Sequence, residues 1–226
     1  GYLPENPYFY EYLDPRETLD FYGKLNGLDK SARRAEWDHL SGLLNLREIA
    51  GQRVRTFSKG MRQRLGFAVA LVGDPPLLIL DEPMSGLDPQ GRRMTRELIL
   101  KLRDVGKTIF FSSHILGDVE QICDRVGILV KGRLTVQGRI DELLTGQINL
   151  VEVIARGLEQ AAAERLAARA SSWRKSEAGY HFCLPDLDAA NETARAVLEA
   201  GGALVEFTPV KESLEDYFMR NQESAA

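Results

Sequence analysis

Apolar residues in the first third of the chain recur at helical spacing. Asp14-Pro15 opens one such stretch, and Leu19, Tyr22 and Leu25 or Leu28 mark a single face. The aspartate can cap, and proline suits the first helical position, where its missing N–H costs nothing. A second helix is predicted over about 31–46, with Trp37, Leu40, Leu43 and Leu44 inward. A third starts at Ser58 and carries Leu65, Phe67, Ala68, Ala70 and Leu71. The period then changes. Leu77–Leu80 is a short continuous apolar run, as in a parallel strand covered on both faces. Asp88-Pro89 opens an amphipathic helix to about Val105, Thr108–Phe111 reads as another strand, and Ser112-Ser113 as the cap of a helix through Ile122. Val126–Val130 is a third strand, Gly132 turns the chain into Leu134–Gln137, and Ile140–Leu144 closes as a short helix. Strands alternating with helices imply a parallel α/β sheet.

Thr145-Gly146-Gln147 reads as a boundary. Beyond it the pattern is strand (148–155), Ala-rich helix (159–170), hairpin around 177–179, helix (187–200), strand (203–207) and a last helix from Glu212 to about Met219. That β-α-β-β-α-β order predicts a small ferredoxin-like domain.

Composition narrows the function class. With 226 residues, 44% hydrophobic and 27% charged, the chain is long enough for a large core or two domains, and disorder is excluded. Apolar runs such as Gly66–Gly73 fall far short of the ~20 residues of a membrane span. Residues 148–226 hold 8 Lys and Arg against 13 Asp and Glu, leaving 21 against 20 in the rest. Neither part has the basic excess of a nucleic-acid binder. Cys123 and Cys183 are too few and too far apart for a disulfide framework or zinc cluster, so both read as reduced thiols of a cytoplasmic protein.

The candidate chemistry gathers around Leu77-Leu78-Ile79-Leu80-Asp81-Glu82, where a buried strand delivers two carboxylates at its C-terminal end. Open α/β sheets place ligands at that edge. Strand alternation gives the two carboxylates different jobs. One can hold a metal, and the other can act as base toward an attacking water. Asp88 follows in a tight turn, Ser85-Gly86-Leu87-Asp88, and His114 stands just past the next strand. Upstream, Phe57-Ser58-Lys59-Gly60-Met61 sets a hydroxyl, a glycine and free amides at a helix N-terminus, a ready anion site.

These elements, in this order and spacing, resemble the ATP-binding subunit of an ABC transporter. Phe57–Met61 resembles the signature motif, Leu77–Glu82 the Walker B strand, Ser85–Asp88 the D-loop, His114 the switch histidine, and Gly1–Glu5 the stretch around the Q-loop. The resemblance covers about residues 1–145. It implies an α/β fold, the C-terminal portion of a P-loop NTPase with its helical subdomain (about 6–75) and a Walker B to switch-histidine region (about 76–146). A small α+β ferredoxin-like accessory domain (147–226) would follow, and its end, Lys211–Phe218, resembles the extension of exporter-type members.

The resemblance also implies roles. Asp81 and Glu5 would hold Mg²⁺, Glu82 would polarise the attacking water, and His114 would contact the γ-phosphate of ATP. Ser58, Lys59, Gly60 and Met61 would bind nucleotide held by a second ATP-binding subunit, and Asp88 would couple the two sites. The expected partners are that second copy, in a homo- or heterodimer, and a separate transmembrane permease, with no nucleic acid. The expected location is the cytoplasmic face of a membrane. Tyr8, Phe9, Tyr10 and Tyr12 stand where the family docks its membrane subunit; Arg62 and Arg64 read as solvated or paired.

Three departures qualify the match: Glu5 replaces the usual glutamine, Lys59 and Met61 replace a common glycine and glutamine, and no P-loop is present. Gly106-Lys107-Thr108 has Lys101 where the first glycine of G-x-x-x-x-G-K-[ST] belongs, and it joins a helix to a strand, the reverse of a P-loop. The expectation is that the P-loop lies upstream of Gly1 and that the chain alone is inactive. The alternatives are a degenerate docking module without turnover, or a soluble ABC-type ATPase.

Overall fold

Three short parallel strands, in the order β1-β2-β3, carry the chemistry-bearing part of the molecule. In the computed structural model, which describes residues 1–144 and 148–223, the chain forms two compact units, Gly1–Ile122 and Cys123–Ala226. The boundary expected at Thr145–Gln147 lies outside the described residues.

The first unit runs β1 (Tyr2–Leu3), α1 (Pro15–Leu25), α2 (Lys30–Leu43), α3 (Lys59–Leu71), β2 (Leu77–Leu80), α4 (Pro89–Asp104), β3 (Thr108–Phe111) and α5 (Leu116–Ile122). α1 starts where its cap predicts. Asp14 accepts from the Glu17 amide while Glu17 accepts from the Asp14 amide, a reciprocal capping box. α2 is capped by Asp29 rather than starting at Ser31, whose hydroxyl bonds that cap instead. Leu40 and Leu44 enter the core and Trp37 packs against it, but Leu43 is exposed. Leu40 and Leu44, four apart, occupy the inward stripe, and Leu43 falls beside it.

Among the described residues β2 is covered on one face only. Leu78 and Leu80 are fully buried, whereas Leu77 and Ile79 are each 43% exposed and Phe110 of β3, paired with Ile79, is 68% exposed. Period-two alternation sends one set of side chains into the helices and leaves the other open. The buried set joins Leu65, Phe67 and Leu71 of α3 and Leu98, Ile99 and Leu102 of α4 in one cluster. Each such leucine contributes about 2 kcal/mol of transfer free energy. α3 approaches β1 closely through Gly66, where an added Cβ would stand 2.5 Å from Leu3 Cδ1 and 3.0 Å from Pro7 Cγ.

The second unit begins with an antiparallel hairpin, β4 (Arg125–Val130) and β5 (Arg133–Arg139), then α6 (Ile140–Leu143). β6 (Ile148–Arg156), α7 (Gln160–Ala167), β7 (Ser172–Ser176), β8 (Gly179–Leu184), α8 (Leu187–Glu199), β9 (Ala203–Lys211) and α9 (Leu214–Glu223) follow. The sheet order is β7-β8-β6-β9, every neighbour antiparallel, which is the expected ferredoxin-like arrangement. Val151, Val153, Phe182 and Leu184 face Ala163, Ala190 and Val197 in its core.

Candidate functional site

The end of β2 and the end of β3 lie side by side, because Leu80 pairs with Phe111. Residues 81–82 and 112–114 therefore leave the sheet from one edge. Asp81 keeps the strand's direction, its amide bonding the Leu3 carbonyl at 2.8 Å. Glu82 does not. Its φ is +45°, a left-handed backbone uncommon for a residue with a side chain. The divergence of the two carboxylates comes from this turn, not from strand alternation, since β2 ends at Leu80.

The turn carries Glu82 to the histidine. Nδ1 of His114 stands 2.9 Å from Glu82 Oε1. An ionised carboxylate only accepts, so Nδ1 is the donor of this contact. The Glu82 side chain is 21% exposed and that of His114 69%. The pair is thus open to a ligand on the histidine's far side. Between the carboxylates sits a residue that the sequence pattern assigns to a helix cap. Ser112 donates to Asp81 Oδ1 at 2.7 Å and accepts from the Glu82 amide at 2.9 Å. Only Ser113 behaves as a local turn residue, accepting from the Ile115 amide, and α5 starts later, at Leu116. A hydroxyl on the first residue after a strand paired with the carboxylate strand was the available signal.

The signature segment forms a second group in the same unit. Ser58 caps α3, accepting from the Met61 amide at 3.3 Å. Gly60 faces open space, Met61 packs against the core, and Lys59 lays its ammonium over Gly86 of the D-loop. Gln63, nearly fully buried, donates to the Pro83 carbonyl at 2.8 Å and so ties α3 to the turn after Glu82. A polar residue inside an otherwise apolar helical stripe was its signal. Glu5 lies 3.5 Å from the Ser85 hydroxyl. Glu5, Asn6, Tyr8, Lys59, Arg62 and Gln63 line one shallow cavity. Asp88 caps α4, accepting from the Gly91 amide at 2.7 Å. Ser58 and Gly60 share no hydrogen bond with Asp81, Glu82 or His114 among the described residues.

Other sequence readings find their places. Gly106-Lys107-Thr108 is the turn from α4 into β3, and Lys107 is spent on Asp74 and the Pro75 carbonyl. Arg62 approaches Glu11 at 3.9 Å and Arg64 donates to the Asn45 carbonyl. Phe9 is buried, while Tyr8, Tyr10 and Tyr12 remain exposed.

The donor set suits Mg²⁺ bound in the company of phosphate. No three His, Cys, Asp or Glu side chains among the described residues form a cage. Asp81 and Glu5 offer hard carboxylate oxygens, and magnesium is commonly held by one or two carboxylates plus phosphate oxygens and waters. No described helix is long and apolar enough to cross a membrane.

The chain is similar to proteins of one family. The family described as ABC transporter matches residues 1–85. An ABC transporter ATP-binding protein of Synechocystis is 42% identical over 222 residues, 97% of this chain and 61% of its own. The ABC transporter ATP-binding protein YxlF of Bacillus subtilis is 34% identical over 222 residues, 97% of this chain and 75% of its own. A solved ATP-binding subunit of an ABC transporter superposes with a TM-score of 0.57 and 33% identity, over 64% of this chain and 60% of that one. The chain thus spans about three fifths of the Synechocystis relative and of the solved subunit.

Proposed function

The chain belongs to the ABC transporter ATP-binding proteins, and from that membership we propose that it supplies the hydrolytic edge of an ATPase driving a membrane permease. The observation that carries the proposal is the His114–Glu82 pair standing beside Asp81 at one sheet edge. Glu82 accepts the proton of the attacking water, and His114, bonded through Nδ1 to Glu82, stands beside it to contact the γ-phosphate. Asp81 and Glu5 hold Mg²⁺, which when bound neutralises developing phosphate charge. The helix N-terminus at Ser58–Met61, with the cation of Lys59, receives the phosphate of a nucleotide carried by a second subunit. Asp88, at the head of α4, passes the state of one site to the other.

A G-x-x-x-x-G-K-[ST] pattern does not occur in the 226 residues. Residues 1–146 and 147–226 act as ATPase and accessory portions of this assembly. The exposed Tyr8, Tyr10 and Tyr12 meet the permease at the cytoplasmic membrane face, in an exporter, as the C-terminal extension suggests.

MgATP turnover by the complete gene product, beside its Glu82→Gln variant, tests the reading. Loss of the base lowers kcat by about 10²-fold or more while ATP is still bound. Equal turnover by the variant would take the role of base from Glu82, and no turnover by the wild type in complex with its permease would replace the ATPase with a docking module.

A further inference from the structure

We propose that Ser112 is a positioning residue whose single hydroxyl sets both carboxylates of the hydrolytic edge. The inference rests on the ATPase reading for its kinetic consequence, though its geometry stands without it. A serine hydroxyl has one proton and two lone pairs. Here the proton goes to Asp81 Oδ1, and a lone pair takes the Glu82 amide. The other Asp81 oxygen has no hydrogen bond among the described residues, so the serine selects which oxygen faces a cation.

The second bond concerns backbone. Glu82 in the left-handed region is strained, and the conformation persists only where its surroundings over-determine it. Both of its backbone polar groups are held: the amide by Ser112 Oγ, the carbonyl by the Ser85 amide at 3.0 Å. That conformation brings Glu82 Oε1 to His114. Ser112 is itself placed by sheet register, its amide bonding the Leu80 carbonyl at 3.0 Å directly after the Leu80–Phe111 pair. A slip of one residue would turn the hydroxyl to the opposite face. The register of β2 against β3 thus reaches the reacting groups through one oxygen atom.

Threonine and valine at position 112 are nearly equal in shape and differ in the hydroxyl, so comparing them separates hydrogen bonding from packing. The first readout needs neither nucleotide nor metal: the exchange rate of the Glu82 amide by ¹⁵N NMR. In Ser112→Val, and equally in Ser112→Ala, that amide should exchange about tenfold faster with the rest of β2 and β3 unchanged, and Ser112→Thr should restore it. In turnover assays the valine variant should lose about 10–100-fold in kcat and need several-fold more Mg²⁺ for half-activation, again with threonine rescue. An unaltered Glu82 amide in the valine and alanine variants would overturn the proposal, as would equal kcat and Mg²⁺ dependence for valine and threonine. Glu82→Gln run alongside keeps the two ideas apart. If it retains turnover, the hydrolytic reading fails while the amide measurement still decides Ser112.

Discussion

The side-chain amide of Gln63 donates to the carbonyl of Pro83 across 2.8 Å, at a point where Gln63 is only 3% exposed. One bond thereby fastens the middle of α3, whose first turn is the signature segment, to the residue that follows Glu82. Gln63→Leu fills similar space but leaves a buried carbonyl without a donor. That should cost about 1–3 kcal/mol, read from urea midpoints at constant m-value. A loss below ~0.5 kcal/mol would show that water reaches Pro83.

Asp118 of α5 is the acceptor between two arginines of α4, Arg92 at 2.5 Å and Arg96 at 3.2 Å. Its side chain is almost completely buried, and the Nε atoms of both arginines are buried without partners among the described residues. Asp118→Ala would leave two cations facing each other with no counter-charge. The arginines remain about a third exposed, so the cost should be about 2 kcal/mol, below the ~3–5 of a fully enclosed pair. Calorimetric unfolding of the two proteins checks this. An unchanged Tm would mean that the arginines find solvent as easily as they find Asp118.

Gly86 combines a φ of +65° with the ammonium of Lys59 lying over it. A methyl group added there meets two obstacles of unequal weight. The lysine head is the free end of a flexible chain and can move, whereas the left-handed backbone cannot be relieved locally. Gly86→Ala should therefore lose about 1 kcal/mol from conformation alone. Adding Lys59→Ala should recover little of it. Full recovery in the double variant would assign the cost to the collision.

Two surface carboxylates give the acid limb of stability. Lys24 and then Arg33 donate to Asp20 and hold its carboxyl below the ordinary value; Lys107 does the same for Asp74. A depressed folded pKa means that the stabilisation is complete above the unfolded value of about 3.9 and disappears as pH falls through the folded one. The stability gap between wild type and Asp20→Asn or Asp74→Asn should accordingly be present at pH 6 and close by about pH 2. A gap that widened on acidification would reverse the assigned sign.

Burial, and then the neighbouring Asp124, push the Cys123 thiol up to about 11. The thiolate is the reactive species, so at pH 8 iodoacetamide should modify Cys123 roughly a hundredfold more slowly than an unhindered thiol of pKa about 8.5. Unfolding in urea should remove the difference. Rapid labelling of the native protein, followed by mass spectrometry, would contradict the burial.

Local chemistry made much of this molecule legible in the chain. Asp14 and Ser58 cap where side-chain oxygens precede apolar stripes, because the orphan amides of a first turn need acceptors within three residues. Leu77–Leu80 is a strand, and the spacing of Asp81, Glu82, Asp88 and His114 about it carried the family. The sequence also determined the β-α-β-β-α-β order that closes as β7-β8-β6-β9. What it left undecided are relations between residues far apart in the chain. That Ser112 serves the carboxylates instead of a helix follows from the pairing of Leu80 with Phe111, 31 residues away. That Glu82 turns left-handed and that Leu43 points outward depend on which neighbours arrive, and periodicity does not encode them. Short-range hydrogen bonds and apolar spacing act within a few residues and can be read in order. Strand register and helix phase are fixed only when the core closes, and these place the serine, the glutamate and the histidine within reach of one another.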